Sequence, residues 1–350
     1  MKPDVSLVLV AHRSSKEAPA AVESFRSEAR RAGAACEVVL VDHSEDADEA
    51  ARLAALGPDA LLVRENRGYA AGVNAGVAAA QAPVALVGNP DVVFRPSSVA
   101  ALLRALDEGW DVVGPQFTLG EFLFPPSDVQ TPAEQFARFL ASRSRVAWRT
   151  HLRHELRRWR CGWEAAAPVA MTTLSGALLA FRRAAFERVG SWDERFFLYF
   201  EETDWLRRAA AAGMRLAQVP SARVEHLYGH AVGPHENAEQ YRASRDRFLR
   251  VHFGWRGRLA RRLRIDGTPL RPDPFPREPA ALPAGSLYWL LSPTPLGLPA
   301  WGWRGDAAGA RAALGGFAGT RRARARYTLL AAVPDGGRVL REFWWEGGDE

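Results

Sequence analysis

The stretch Val84–Phe94, VALVGNPDVVF, decides the fold. Val84–Gly88 is a short apolar run bounded by Pro83 and by the turn at Asn89-Pro90, which is how a strand buried in a parallel sheet reads. Asp91 stands at the carboxyl end of that strand. In open α/β sheets ligands bind beyond this edge, where the loops leave a crevice. A carboxylate so placed can hold a divalent cation against a diphosphate. Taken alone, Asn89-Pro90-Asp91 also reads as no more than a capped turn, so the flanking segments must decide.

Working outward, Val5–Val10 reads as a central strand followed by the polar turn His12–Ser15, with a helix over Ala18–Gly33. Glu37–Val41 is a second strand ending in Asp42, followed by a helix over Glu45–Leu56 and a short strand at Ala60–Val63. Strands alternating with helices predict parallel βαβ units and a three-layer sheet. Asp42 and Asp91 then end strands that face one crevice. Asp42 is suited to accept hydrogen bonds from the imide of a pyrimidine base, or else to cap the next helix. Arg64–Gly76, RENRGYAAGVNAG, is neither a P-loop nor GxGxxG. Gly68, Gly72 and Gly76 allow the backbone to approach a ligand or pack tightly on a neighbour. Asn74 places an amide there that needs a partner.

The second half is more basic. Pro132–Arg160 predicts a long helical region with a stripe of Phe136, Phe139, Leu140, Trp148, Leu152, Leu156 and Trp159 among many arginines. Such a helix either lies on an anionic membrane surface or packs on the core with a solvated basic face. Thr172–Phe181 reads as a strand, and EETDWLRRAAAAG, from Glu201, as a helix with Glu201, Glu202 and Asp204 in its first turn, where the macrodipole favours carboxylates. His226 follows a short strand and by itself reads as a satisfied polar residue. Gln240–Arg264 is a second arginine-rich helix. Prolines from 269 to 283 predict an extended linker. Beyond it, strands are expected at Ser286–Leu291, Tyr327–Val333 and Arg338–Trp345, the last two joined as a hairpin through Asp335-Gly336-Gly337, with a helix at Ala307–Leu314. The tryptophans of this tail form either a sugar-stacking platform or the core of a small module.

With 350 residues, 47% of them hydrophobic, the chain has enough apolar material for one large core and a satellite. A net charge of +6, carried mostly by arginine, suits anionic partners without choosing among them. Nucleic acid is not expected, because the arginines cluster on helices without interleaved stacking motifs on a sheet. Two cysteines point to a reducing compartment, and no apolar run is long enough to span a bilayer. A soluble, cytoplasmic protein is expected.

In sequence order, VSLVLVAHRSS, VVLVDHSEDADE, ENRGYAAGVNAG, VALVGNPDVVF, LSGALLAFRRAAFERVGSWDERFFLYFEETDWLRR and ARVEHLYG resemble inverting glycosyltransferases of family 2, in particular the rhamnosyltransferase-like branch. The resemblance runs over Val5–Gly229 and does not pass about residue 255. It implies an α/β fold of the GT-A type, Rossmann-like and three-layered with a mostly parallel sheet, plus a small β-rich or α+β module at the C-terminus. The expected division is 1–232 for the transferase domain, 233–268 for a helical extension, 269–285 for the linker and 286–350 for the module. The resemblance further implies that Asp42 contacts the base, that Asn66, Gly68 and Asn74 line the nucleotide-sugar pocket, and that Asp91 and His226 bind Mg²⁺ or Mn²⁺. Glu202 takes the catalytic-base position, Arg208 matches a following arginine placed to hold the departing nucleotide, and Asp193 and Glu194 face the acceptor. The family usually has Asp where this chain has Glu202, and asparagine where it has His12 and His43. Its implied partners are a nucleotide-sugar donor, dTDP-rhamnose first and a UDP-hexose next, and a glycan or lipid-linked acceptor of cell-surface polysaccharide synthesis at the inner face of the membrane. A non-catalytic nucleotide- or glycan-binding protein and a metal-dependent nucleotidyltransferase are the alternatives.

Overall fold

Apolar β-branched runs alternate with helix-forming segments through the first two hundred residues, and this alternation sets the architecture. The computed structural model describes residues 2–127, 130–227, 238–265, 267–276, 282–318, 326–333 and 338–346. In chain order, β1 (Val5–Ala11), α1 (Ala18–Arg31), β2 (Cys36–Asp42), α2 (Ala47–Ala54), β3 (Ala60–Val63), α3 (Tyr69–Ala79) and β4 (Val84–Gly88) come first. Then follow β5 (Val92–Phe94), α4 (Ser98–Asp107), β6 (Val112–Leu119), β7 (Phe122–Leu123), α5 (Pro132–Arg143), α6 (Arg145–Trp163), β8 (Val169–Ala170) and β9 (Leu178–Arg182). Next are α7 (Arg183–Val189), α8 (Glu201–Ala211), β10 (Leu216–His226) and α9 (Ala238–Ala260). The chain ends with β11 (Asp273–Pro274), β12 (Leu287–Ser292), β13 (Trp301–Gly305), α10 (Ala307–Ala318), β14 (Arg326–Ala332) and β15 (Val339–Glu346).

These elements separate into two compact units, and the division is not linear. The first draws on residues 1–116, 127–129 and 165–251, the second on 117–126, 130–164 and 252–350. Residues 130–164 thus cluster with the C-terminal portion of the chain, across the boundaries that composition alone places at 232, 268 and 285.

In the first unit the strand order is β3-β2-β1-β4-β9-β6. β1, β2, β3 and β4 are parallel, with Ala11 opposite Asp42 and Leu9 opposite Gly88, so their carboxyl ends share one edge. β9 runs antiparallel to β4 and to β6. β10 lies antiparallel to β5 and sets His226 opposite Val92, one residue past Asp91. One face of the sheet carries Val8, Val10, Val39, Val41 and Val87, which pack with Val73 and Val77 of α3 and Trp205 and Leu206 of α8. The alternate residues Leu7, Leu9, Val38 and Leu40 point to the other face and are equally buried. Helix α3 can lie this close because it presents glycine to the strands. A Cβ at Gly76 would fall 2.3 Å from Val8 Cγ1, and one at Gly72 2.5 Å from Val10 Cγ1. These two glycines therefore serve helix packing.

In the second unit the strand order is β11-β15-β14-β12-β13-β7. The pairings are antiparallel except that of β11 with β15. The expected long helix is two, because Ser144 breaks the run and caps α6 through Ala147 N (3.4 Å). The α6 stripe is buried. Trp148, Leu152, Leu156, Trp159 and Trp163 pack with Leu290, Leu330, Leu296 and Leu298, and Trp148 Nε1 donates to Leu296 O at 2.8 Å. The α6 part of the expected stripe therefore belongs to a core, whereas Phe136 and Leu140 on α5 are exposed. Of the tail tryptophans, Trp289, Trp301 and Trp345 are buried in core and Trp303 and Trp344 are half-buried. The described parts of the proline-rich stretch are packed. Leu270 joins the same core, and Phe275 N donates to Trp344 O at 2.9 Å. β14 and β15 pair as expected, and the expected turn at 335–337 lies outside the described residues. No helix among the described residues is long and apolar enough to cross a membrane.

Candidate active site

The parallel register brings the ends of β2 and β4 to one edge of the first unit's sheet, and α3 and α8 begin beside it. Asp42, at the end of β2, is fully buried. Its Oδ1 accepts Ser44 N at 2.9 Å, while Oδ2 is buried with no hydrogen-bond partner. A buried acceptor left over at a sheet edge calls for a ligand donor. Beside it, His12 Nδ1 lies 3.0 Å from His43 O, and burial pushes the His43 imidazole below its ordinary pKa.

Asp91, in the turn after β4, is also buried, and its Oδ1 lies 3.3 Å from His226 Nε2. The antiparallel pairing of β10 with β5 makes this contact, reinforced by Leu227 N donating to Asp91 O at 2.9 Å. A buried carboxylate oxygen beside a buried imidazole nitrogen is a donor set that can hold a divalent cation. The rest of the ARVEHLYG segment, from Tyr228 on, lies outside the described residues.

The carboxylates of α8 complete the site. Glu201 is buried with Oε2 unpartnered, and burial, then the neighbouring Glu202, pushes its pKa well up. Glu202 is half-buried. Burial raises its pKa too, opposed by hydrogen bonds from the backbone at the helix start. Burial, and after it the charges of Glu201, Glu202 and Asp91, raises the phenol of Tyr69, the first residue of α3, well above the ordinary value. Its hydroxyl lies 3.4 Å from Gly176 O. Gly176 makes room for the base candidate: a Cβ there would fall 2.8 Å from Glu202 Cγ.

The segment leading into α8 is strained. Tyr199 and Phe200 both adopt φ 70°, a left-handed conformation that costs non-glycine residues about 1–3 kcal/mol each. Surrounding contacts hold it. Phe197 O accepts Tyr69 N at 2.9 Å and sits where a Gly68 Cβ would fall, and Leu198 O accepts Ser244 Oγ at 2.8 Å. Tyr241 packs on Tyr199 and Phe200, with ring centroids 5.5 and 5.3 Å away.

The remaining expected residues form a scaffold. Asn66 Oδ1 accepts Gly68 N at 3.1 Å and shapes the turn into α3. Asn74 spends its amide on Trp192 O, Trp192 N and Glu194 Oε1, at 3.0, 2.9 and 3.1 Å. Arg208 donates to Asp204 Oδ2, Val189 O and Ser191 O, at 2.9, 3.0 and 2.8 Å. Both side chains therefore pin the 189–195 loop. On this loop Asp193 is chelated by Arg195, which holds its carboxyl below the usual range, and Glu194 also pairs with Arg67 at 3.0 Å. Tyr69 and Gly176 join the site without having been singled out. Both lie inside quoted motifs, but only the fold sets them against Glu202.

The family model described as Glycosyl transferase family 2 matches residues 6–190, more than half of the chain. The N-acetylglucosaminyl-diphospho-decaprenol L-rhamnosyltransferases of two Mycobacterium tuberculosis strains, CDC 1551 / Oshkosh and ATCC 25618 / H37Rv, are 33% identical over 183 residues. That covers 49% of this chain and 56% of theirs, so the chain spans about half the length of the curated relatives it matches. A mannosyltransferase from Pyrobaculum calidifontis, solved with GDP-Man and Mn²⁺, overlays at a TM-score of 0.45 with 16% identity, over 71% of this chain and 62% of its own.

Proposed function

This chain belongs to glycosyl transferase family 2, and on that footing we propose that it is an inverting glycosyltransferase. It moves a sugar from a nucleotide diphospho-sugar to a hydroxyl of a glycan or lipid-linked acceptor. The observation that carries this reading is the meeting of Asp91, His226, Tyr69 and the Glu201–Glu202 pair at one sheet edge. The rhamnosyltransferase relatives, whose name includes a lipid-linked acceptor, make dTDP-rhamnose the first donor to test and a UDP-hexose the second.

In this reading the unsatisfied Oδ2 of Asp42 accepts from the base of the donor. Asp91 and His226 would hold the divalent cation, Mg²⁺ or Mn²⁺. Bound there, the ion supplies charge neutralisation for the departing diphosphate. Glu202 takes the proton of the acceptor hydroxyl while that oxygen bonds the anomeric carbon and the nucleoside diphosphate leaves from the opposite side. A single displacement of this kind inverts the configuration. Glu201 is more deeply buried, and burial, then the neighbouring Glu202, opposes its ionisation. The 189–195 loop, pinned by Asn74 and Arg208, presents Asp193 and Glu194 toward the acceptor side.

The test is release of nucleoside diphosphate from a panel of nucleotide sugars with and without acceptor. Release of pyrophosphate would instead identify a nucleotidyltransferase, and tight nucleotide binding without release a non-catalytic binder.

A further inference from the structure

We propose that Trp255–Ile265 docks the second unit onto an anionic lipid bilayer. This surface is distinct from the arginine-rich helix α6, whose apolar side is consumed by the core. After the break at Gly254 (φ 53°), the chain runs on as helix to Ala260. Two further turns carry it on, as Arg262 N donates to Leu259 O and Leu263 N to Ala260 O, at 3.1 and 3.0 Å. At about 100° per residue, Gly257 and Ala260 point to one side and are buried. Trp255 and Leu259 point to the opposite side, 64% and 59% exposed. Two large apolar side chains in water at i and i+4, backed by two small buried ones, form an amphipathic helix with its apolar face outward.

Charge identifies the partner. Arg256, Arg258, Arg261 and Arg262 flank the apolar pair and Arg264 follows, with no Asp or Glu from Trp255 to Ile265. The Arg256 guanidinium lies 5.5 Å from the Trp255 ring centroid. A second copy of this patch would bring five cations against five, so self-association on this face is opposed. An anionic bilayer satisfies both parts at once. Its phosphates and acidic headgroups pair the arginines, and its acyl boundary takes Trp255, Leu259 and the partly exposed Ile265. Nucleic acid offers phosphates but no apolar layer for Leu259 and Ile265. The inference does not depend on the chemistry proposed above, although a lipid-linked acceptor would be met at the same surface.

Co-sedimentation of the full chain with phosphatidylcholine vesicles, with and without one-third phosphatidylglycerol, tests it. The protein binds the anionic vesicles in a salt-sensitive way and leaves the neutral ones. Trp255→Ala/Leu259→Ala weakens binding about tenfold or more. Arg258→Gln/Arg262→Gln weakens it roughly 30-fold, at about fivefold per arginine. All four residues are exposed, and circular dichroism checks that each variant is folded. Arg149→Gln/Arg153→Gln on α6 binds as wild type. Equal binding to neutral and anionic vesicles overturns the proposal. So does wild-type binding by both folded patch variants, loss of binding only in the α6 variant, or capture of single-stranded RNA without any vesicle binding.

Discussion

Glu202 and Glu201 are adjacent in sequence but lie in different environments, and only Glu202 is proposed as the base. Glu202 touches the space left by Gly176, whereas Glu201 is sealed in with an unpartnered oxygen. Glu202→Gln should therefore lower kcat by roughly 10²–10⁴-fold, with donor affinity nearly unchanged in a titration. Glu202→Asp should retain partial activity. Because the base acts ionised and burial raises its pKa above the ordinary 4.5, kcat should climb with pH through a midpoint above that value. Glu201 gives the complementary stability signal. A carboxyl whose folded pKa is raised contributes its stability below the unfolded pKa and loses it as pH rises through the folded one. Glu201→Gln should thus melt like wild type at acidic pH and increasingly above wild type as pH rises, with turnover preserved. A dead Glu201→Gln beside an active Glu202→Gln would reverse the assignment. Gly176→Ala should cut turnover without unfolding the protein, because the new methyl must displace Glu202. A fully active Gly176→Ala would mean that Glu202 has no fixed place.

At the scale of elements, legibility followed the range of the interaction. Val84–Gly88, its bounding prolines and Asp91 declare a strand and its carboxyl end through local periodicity and punctuation. Asp42 does the same for β2. The loop contacts of Asn74 and Arg208 could not be read this way, since Val189, Ser191 and Trp192 are joined to them only by folding, whereas the Arg208–Asp204 pair is local to α8. The strand expected over Thr172–Phe181 begins only at Leu178, because the chain turns at Gly176-Ala177, against Glu202 and the end of β4. The α9 brace was hidden for the same reason: a helix beyond the resemblance holds the left-handed Tyr199 and Phe200 in place. Aromatic pairs contribute about 0.5–1.5 kcal/mol each, so Tyr241→Ala should relax this segment. A several-fold fall in kcat with donor binding unchanged is expected from steady-state kinetics. Unaltered kcat would show that α9 plays no part in holding Glu202.

For the whole molecule, the two units interleave along the chain, so no cut near residue 270 releases an intact piece. Composition marks the proline-rich stretch as a boundary, but the buried stripe of α6 finds its partners in β12 and β14. A chain ending at residue 270 would leave Trp148, Leu152, Leu156 and Trp159 without cover, an apolar exposure that favours aggregation. It should bind a hydrophobic dye and sediment as aggregate, and a soluble monomer with a cooperative melt would contradict the shared core. The proposed reaction is inverting sugar transfer from the edge where Asp91, His226 and Glu202 lie. Its most direct measurement is nucleoside diphosphate release from dTDP-rhamnose and UDP-hexoses in the presence of acceptor, comparing wild type with Glu202→Gln and Asp91→Ala, and wild type with and without chelator. Acceptor-dependent release by wild type, lost in both variants and on chelation, with the anomeric configuration of the product inverted, is the predicted result. Release that survives both substitutions, or a product of retained configuration, would contradict it.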